Sequence, residues 1–94
     1  MEKKYQLKQC QYYPVSEMII DSLERYLNNG IMPGGFLTAC LENNLREALG
    51  RADEFNRATI FNIVHYLHNY IPSSAWGSPD HIEYWLEQFK EKAA

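Results

Sequence analysis

Long apolar runs are missing from this 94-residue chain, and no apolar segment follows its charged N-terminus. A membrane-spanning helix needs about 20 consecutive apolar residues, and a secretory signal needs an apolar core of roughly 7–15 residues. The sequence therefore predicts neither a membrane span nor a signal peptide. Only two cysteines are present, Cys10 and Cys40, and they do not form a CxxC pair. We expect both to be reduced thiols in a cytoplasm, where disulfides are rare.

Basic residues are also scarce, with nine lysines and arginines against twelve acidic residues and a net charge of -3. Affinity for polymeric nucleic acid comes largely from basic side chains that neutralise phosphates, so this balance argues against that class of partner. The only basic cluster is Lys3, Lys4 and Lys8. A solvated tail explains it, because chain ends are commonly loose.

The motifs of common enzymes and metal sites are absent. The sequence contains no G-x-S-x-G, no HExxH, no P-loop and no GxGxxG, so nucleophile elbows and dinucleotide sites are not indicated. His65 and His68 share a predicted helix but lack zinc-site spacing to His81, and Cys40 sits among leucines, where a thiol is usually inert. We predict a non-enzymatic protein with no catalytic residue, metal or cofactor.

Aromatic residues are plentiful, at 14% of the chain with seven tyrosines. Tyrosine and tryptophan often lie at interfaces, because each combines a large apolar body with a hydrogen-bonding tip. A chain of this length forms one domain with a modest core. Self-association would add stability, so we expect a homo-oligomer, with a dimer as the default.

The apolar spacing predicts an all-α fold, a compact domain of four short helices over residues 15–94. Residues 1–14 precede it as a short strand or an extended N-terminal arm. The helices are predicted over 16–28, 36–49, a third starting at Asp53 or Asn56 and limited by Pro72, and 78–90. The predicted core faces are Ile19, Leu23, Tyr26 and Leu27; Leu37, Cys40, Leu41, Leu45 and Ala48; Ile60, Ile63, Val64, Leu67 and Ile71; and Ile82, Trp85, Leu86 and Phe89.

Three loops carry residues that helix packing does not explain. In the first, Gly34 and Gly35 precede Phe36 and Thr38 at a predicted helix start. Exposed backbone N–H groups there favour an anion such as phosphate, and the Thr38 hydroxyl can add a donor. The alternative is a tight turn with close backbone packing, which is what glycine pairs usually provide.

The second loop contains Arg51, Asp53 and Asn56. The planar guanidinium of Arg51 suits a phosphate or a carboxylate, and both Asp53 and Asn56 can cap a helix. The alternative is that Asp53 caps the third helix and pairs with Arg57 or Arg51.

The third loop contains Ser73, Ser74 and Trp76. An indole beside small residues can stack on a base or lie against a partner protein. The alternative is a tryptophan that plugs one end of the core, since tryptophan is usually well buried.

Together these segments resemble a group of small proteins encoded by tailed bacteriophages and prophages. The resemblance spans residues 30 to 85 and is carried by PGGFLTA at 33–39, ENNL at 42–45, GRADxxN at 50–56 and PSxxWGSP at 72–79. No activity comes with the resemblance, so no catalytic residue is carried over. It implies an accessory phage product in a bacterial cytoplasm that counters host defences by sequestering a signalling nucleotide or masking a host protein.

The leading hypothesis is a non-enzymatic, self-associating protein that binds a small phosphate-bearing ligand such as a nucleotide. Arg51 and the Gly34 and Gly35 N–H groups would contact the phosphate, and Trp76 or a tyrosine would stack on the base. The alternatives are an inhibitor or adaptor of a host protein and a minor virion or assembly component. Convergence of the three loops on one pocket would favour the ligand, whereas dispersed loops with Trp76 buried would be architecture only.

Overall fold

The computed structural model describes residues 4–93, with side chains described through Lys90, and it is helical throughout its regular parts. Lys3, in the basic N-terminal cluster, lies outside this range. Within it there are six α-helices, one 3₁₀ turn and no strand. They are α1 (Glu17–Asn29), α2 (Gly35–Leu41), α3 (Leu45–Arg51), α4 (Glu54–Ala58), α5 (Ile60–Tyr70), the 3₁₀ turn Ser73–Ala75 and α6 (Pro79–Ala93). The predicted all-helical class is confirmed, and the predicted count of four is wrong.

The helix ends marked by capping residues lie where the sequence places them. The Ser16 hydroxyl accepts a hydrogen bond from the Met18 N–H at 3.1 Å, and Gly30 closes α1 with φ 68°, a left-handed conformation that glycine adopts without strain. At α6 the Ser78 hydroxyl accepts from the His81 N–H at 3.2 Å. Each of these ends is set by contacts within one turn.

Two predicted helices each divide into two. The predicted helix over 36–49 breaks at Asn43, whose φ of 62° is left-handed, and the Asn44 amide oxygen caps α3 by accepting from the Glu47 N–H. Asparagine tolerates this conformation better than most residues. The next helix breaks at Thr59, whose hydroxyl donates to the Phe55 carbonyl at 2.9 Å, a back-bond that competes with helix geometry.

The core lies between α1, α2, α5 and α6 and contains the predicted face of α1 in full. Tyr26 and Tyr66 are the largest side chains with no solvent exposure; Tyr66 was not among the predicted core residues. Two predictions of burial are wrong: Leu45 is 60% exposed and Val64 is 39% exposed. Both line an open groove between α3 and α5, which leaves their side chains accessible to solvent.

The residues before α1 lie along that helix. The Asn28 amide donates to the Tyr5 carbonyl at 2.9 Å and accepts from the Tyr5 N–H at 2.8 Å. Two residues further on, the Leu7 N–H donates to the Glu24 carboxylate at 2.7 Å. Side chains of α1 therefore satisfy backbone groups that a neighbouring strand would otherwise pair.

The molecule is flattened, with extents of 41 × 27 × 19 Å and a radius of gyration of 13.0 Å. A domain of this length is expected at about 12 Å, so the molecule is slightly more extended than an average domain of its size. Among the helices described, none has both the length and the apolar character to cross a membrane.

Candidate functional site

A cleft of about 310 Å³ lies where the first predicted loop meets α1 and α4. We call it the Gly34 cleft. Its lining is mainly apolar and also includes one hydroxyl and one amide side chain: Met18, Ile19, Ser22, Pro33, Gly34, Gly35, Phe36, Leu37 and Asn56. It brings residues of the first and second loops together, although about twenty positions separate them in the chain.

Arg51 lies against the backbone of Gly35. A Cβ placed on Gly35 would stand 2.8 Å from Arg51 Nη1 and 3.2 Å from Arg51 Cδ, closer than a side chain tolerates. Glycine at this position therefore permits the close approach of the guanidinium. The Arg51 Nε–H also donates to Glu47 Oε1 at 2.7 Å in a solvent-exposed pair, which contributes less than about 1 kcal/mol and engages one of the five guanidinium donors.

The other residues of these two loops divide between the lining of the cleft and the framework around it. The Asp53 carboxylate accepts from the Asn56 N–H at 2.7 Å and caps α4, whereas the Asn56 side chain lines the cleft. The Thr38 hydroxyl donates to the Pro33 carbonyl at 3.0 Å and holds the loop closed. Arg57 Nη1 lies 3.9 Å from Glu54 Oε1, and Arg51 pairs with Glu47. The predicted alternative, in which Asp53 pairs with Arg51 or Arg57, is therefore not what the structure shows.

The third loop lies outside the Gly34 cleft. Trp76 is half-buried and lines a second, apolar groove of about 160 Å³ with Cys40, Asn43, Asn44, Leu45, Ala48, Ile60 and Val64. Ser73 and Ser74 are exposed in the 3₁₀ turn, where Ser74 borders a third depression beside Tyr5 and Trp85. The three loops thus do not share one pocket, and Trp76 is not placed to stack on a molecule in the Gly34 cleft.

Short hydrogen bonds fix the third loop in its position. The Gly77 N–H donates to the Leu41 carbonyl at 2.7 Å, and His81 Nδ1 lies 2.8 Å from the Trp76 carbonyl oxygen. Gly77 has φ 110°, so the chain turns there in a conformation that other residues adopt only with strain. These contacts explain the glycine after Trp76 as loop geometry.

The two cysteines are unbridged and buried, and their environments differ. Burial raises the pKa of the Cys40 thiol to about 11, which keeps it protonated at neutral pH. The Tyr13 backbone N–H, with a smaller contribution from the Tyr70 hydroxyl, lowers the pKa of the Cys10 thiol. Thiolate is the reactive form, so we expect Cys10 to have the more reactive thiol of the two.

The histidines have structural neighbours. The His65 ring lies 4.2 Å from the Tyr13 ring, centroid to centroid, and His81 contacts the third loop. Within residues 4–90, no three His, Cys, Asp or Glu side chains are grouped so as to hold a metal ion.

The α1 wall of the Gly34 cleft was not predicted from the sequence. Met18 is 79% exposed and forms that wall with Ile19 and Ser22. The available signal was an unbranched apolar side chain placed outside the buried stripe of α1, which is typical of adaptable binding surfaces.

The Gly34 cleft therefore offers an apolar wall, an amide side chain and glycine backbone; Arg51 is not among its lining residues, but its guanidinium lies against Gly35, which is. This set suits a small molecule that has both an aromatic and an anionic part. Comparison with protein-family models, curated proteins and solved structures finds no match to the chain.

Proposed function

We propose that this chain is a non-enzymatic binding protein whose Gly34 cleft holds a small phosphate-bearing ligand, such as a nucleotide. The observation that carries the proposal is the contact of the Arg51 guanidinium with Gly35, which places a permanent cation beside a cleft of about 310 Å³. Arginine binds phosphate through paired N–H donors in a fixed geometry. The Nη groups supply those donors while Nε stays paired with Glu47.

The remaining parts of the ligand match the lining of the cleft. The ring of Phe36 and the thioether of Met18 provide apolar surface for a base. The Asn56 amide can donate to and accept from a base edge or a ribose hydroxyl. Gly34 has open space where a Cβ would stand, so its backbone is accessible. Phe36 takes the stacking role that the sequence assigned to Trp76.

The net charge of -3 favours a small ligand over a polymer. A polymeric nucleic acid would bring many phosphates toward an acidic surface, whereas a nucleotide needs only one local cation. The resemblance to small phage-encoded proteins supports a counter-defence role in a bacterial cytoplasm, in which the protein sequesters a nucleotide signal. Sequestration requires tight binding and no turnover.

Isothermal titration calorimetry against a panel of cyclic and linear nucleotides tests the proposal. We expect at least one to bind, and Arg51→Gln to weaken that binding by about tenfold or more, as expected for a hydrogen bond to a charged group. Arg57→Gln is the matched control, because Arg57 is equally exposed and its pair with Glu54 is away from the cleft. Absence of binding by the whole panel, or equal losses in the two variants, would refute the proposal.

A further inference from the structure

Helix α5 has a solvent-facing surface without charge. Ile60–Tyr70 contains no Asp, Glu, Lys or Arg, although such residues make up 22% of the chain. Ile63, Tyr66 and Leu67 face the core. The opposite positions, spaced i, i+3, i+4 and i+7, are Phe61, Val64, His65 and His68. We call these four residues the α5 face.

Apolar and aromatic side chains on this face are held in place while exposed. Phe61 is 66% exposed, and its ring centroid lies 5.7 Å from that of Tyr13 and 6.3 Å from that of His65. Aromatic neighbours at these distances restrict the ring. Phe61 is therefore a projecting anchor that loses little freedom when a partner covers it.

An apolar groove adjoins the anchor. Val64 and Ile60 form one wall of the 160 Å³ groove, Leu45 of α3 forms the other, and Trp76 is part of its lining. An apolar cavity of about 150 Å³ accommodates benzene, so this groove is large enough for a phenyl ring. The exposed Phe61 ring and a groove large enough for a phenyl ring therefore lie side by side on one surface.

We infer that the α5 face is the docking surface for a second copy of this chain, in an antiparallel twofold pair. In this arrangement Phe61 of each copy enters the groove of the other, and Val64 lies near the axis. A twofold interface uses the same patch on both subunits, so that patch must contain both the projection and the recess. The α5 face and its groove meet this requirement.

The absence of charged residues from the α5 face favours a second copy of this chain over a strongly charged partner. Each chain has a net charge of -3, which opposes association of two copies at long range and favours contact through uncharged surface. Because Ile60–Tyr70 contains no Asp, Glu, Lys or Arg, two copies can meet at the α5 face without burying an ionised side chain of this helix, whose desolvation is costly. A strongly basic or acidic partner would find no opposite charge there to pair with.

The available area is sufficient for a stable dimer. A standard interface buries about 800 Å² on each partner, which is roughly an eighth of the 6359 Å² accessible surface of this chain. The α5 face would supply this area together with the adjoining groove. Leu45, at 60% exposure, and Tyr13, whose ring lies 5.7 Å from that of Phe61, would extend the contact.

Sedimentation velocity on the full chain across a concentration series tests the inference. We expect dimers of the 11.0 kDa chain that Phe61→Glu converts to monomers, with the dissociation constant raised at least a hundredfold. Phe55→Glu is the matched control, since Phe55 is a phenylalanine of similar exposure on α4, outside the α5 face, and it should remain dimeric. Circular dichroism of both variants checks that the fold is kept.

Cysteine cross-linking tests the position of the twofold axis independently. Val64→Cys should form a disulfide between two copies under mild oxidation, whereas Tyr84→Cys on α6 should not. A wild-type chain that is monomeric throughout the series, or an assembly that Phe61→Glu leaves intact, would overturn the inference. So would a monomer that binds a different protein through Phe61. Arg51→Gln should leave the dimer unchanged, so failure of the dimer and failure of nucleotide binding are separate results.

Discussion

The Tyr26 hydroxyl donates a 2.7 Å hydrogen bond to the Ala75 carbonyl oxygen, and both residues are fully buried. The bond joins α1 to the 3₁₀ turn across 49 positions of the chain. It leaves the phenol satisfied inside the core, where an unpaired polar group is costly. Through this contact α1, which forms one wall of the Gly34 cleft, is fixed relative to the loop that carries Trp76.

Tyr26→Phe should lower the free energy of unfolding by about 1–3 kcal/mol, because the Ala75 carbonyl is left buried without its partner. Urea denaturation followed by circular dichroism measures the change. Tyr84→Phe, at an exposed position on α6, is the control and should alter stability little. An unchanged midpoint for Tyr26→Phe would show that water or another donor replaces the hydroxyl.

Stability should fall in alkaline solution because of Tyr66. Burial raises the pKa of Tyr66 to about 12, above the value of about 10 for an unfolded chain. The neutral phenol is favoured in the folded state, so the stabilisation is complete below pH 10 and is lost between about pH 10 and 12. The melting temperature of Tyr66→Phe should therefore fall less between about pH 10 and 12 than that of Tyr84→Phe. Identical slopes in the two variants would contradict the assignment.

Gly35→Ala should weaken nucleotide binding about as much as Arg51→Gln. The added Cβ would lie 2.8 Å from Arg51 Nη1, and the flexible guanidinium can move away, so the fold should be retained. Gly50→Ala is the matched control: its Cβ meets open space and glycine weakens a helix interior, so we expect unchanged affinity and a gain of about 0.5–1 kcal/mol. Calorimetry and thermal denaturation together separate these outcomes.

Cys10 should be alkylated before Cys40. The Tyr13 backbone N–H lowers the pKa of the Cys10 thiol, and burial raises that of Cys40 to about 11. Mass spectrometry of the folded protein during iodoacetamide treatment at pH 8 should locate the first adduct on Cys10. Tyr70→Phe removes a hydroxyl that also lowers the Cys10 pKa and should slow the reaction. Earlier labelling of Cys40 would show that access, and not thiolate content, controls the rate.

The starts and stops of the helices were predictable because their causes are local. Ser16, Gly30 and Ser78 act through contacts within a few residues, and the sequence shows those residues directly. The breaks at Asn43 and Thr59 were not predicted. Each lies within an apolar pattern that continues with helical spacing on both sides, and the choice between a continuous and a broken helix depends on packing across the core.

The candidate site was predictable only in its parts. The sequence drew attention to Gly34, Arg51 and Trp76, but it specifies separation along the chain and not distance in space. The structure brings the first two together, because α3 returns the chain to the start of α2, and it places Trp76 in a different groove. The contribution of Met18 was missed, because one methionine outside the buried stripe of α1 is a weak signal on its own.

The hydrogen bonds between the N-terminal segment and α1 are spaced by nearly the same distance along both. Two residues of extended chain span about 6.6 Å and four residues of helix about 6.0 Å, so Tyr5 and Leu7 meet Asn28 and Glu24 in step. The two contacts fix the segment in one register, running opposite to the helix. One residue inserted between Tyr5 and Leu7 would move the Leu7 N–H out of reach of the Glu24 carboxylate. The same insertion at the bends of residues 11–13 would be absorbed, which makes those bends the natural place for length variation.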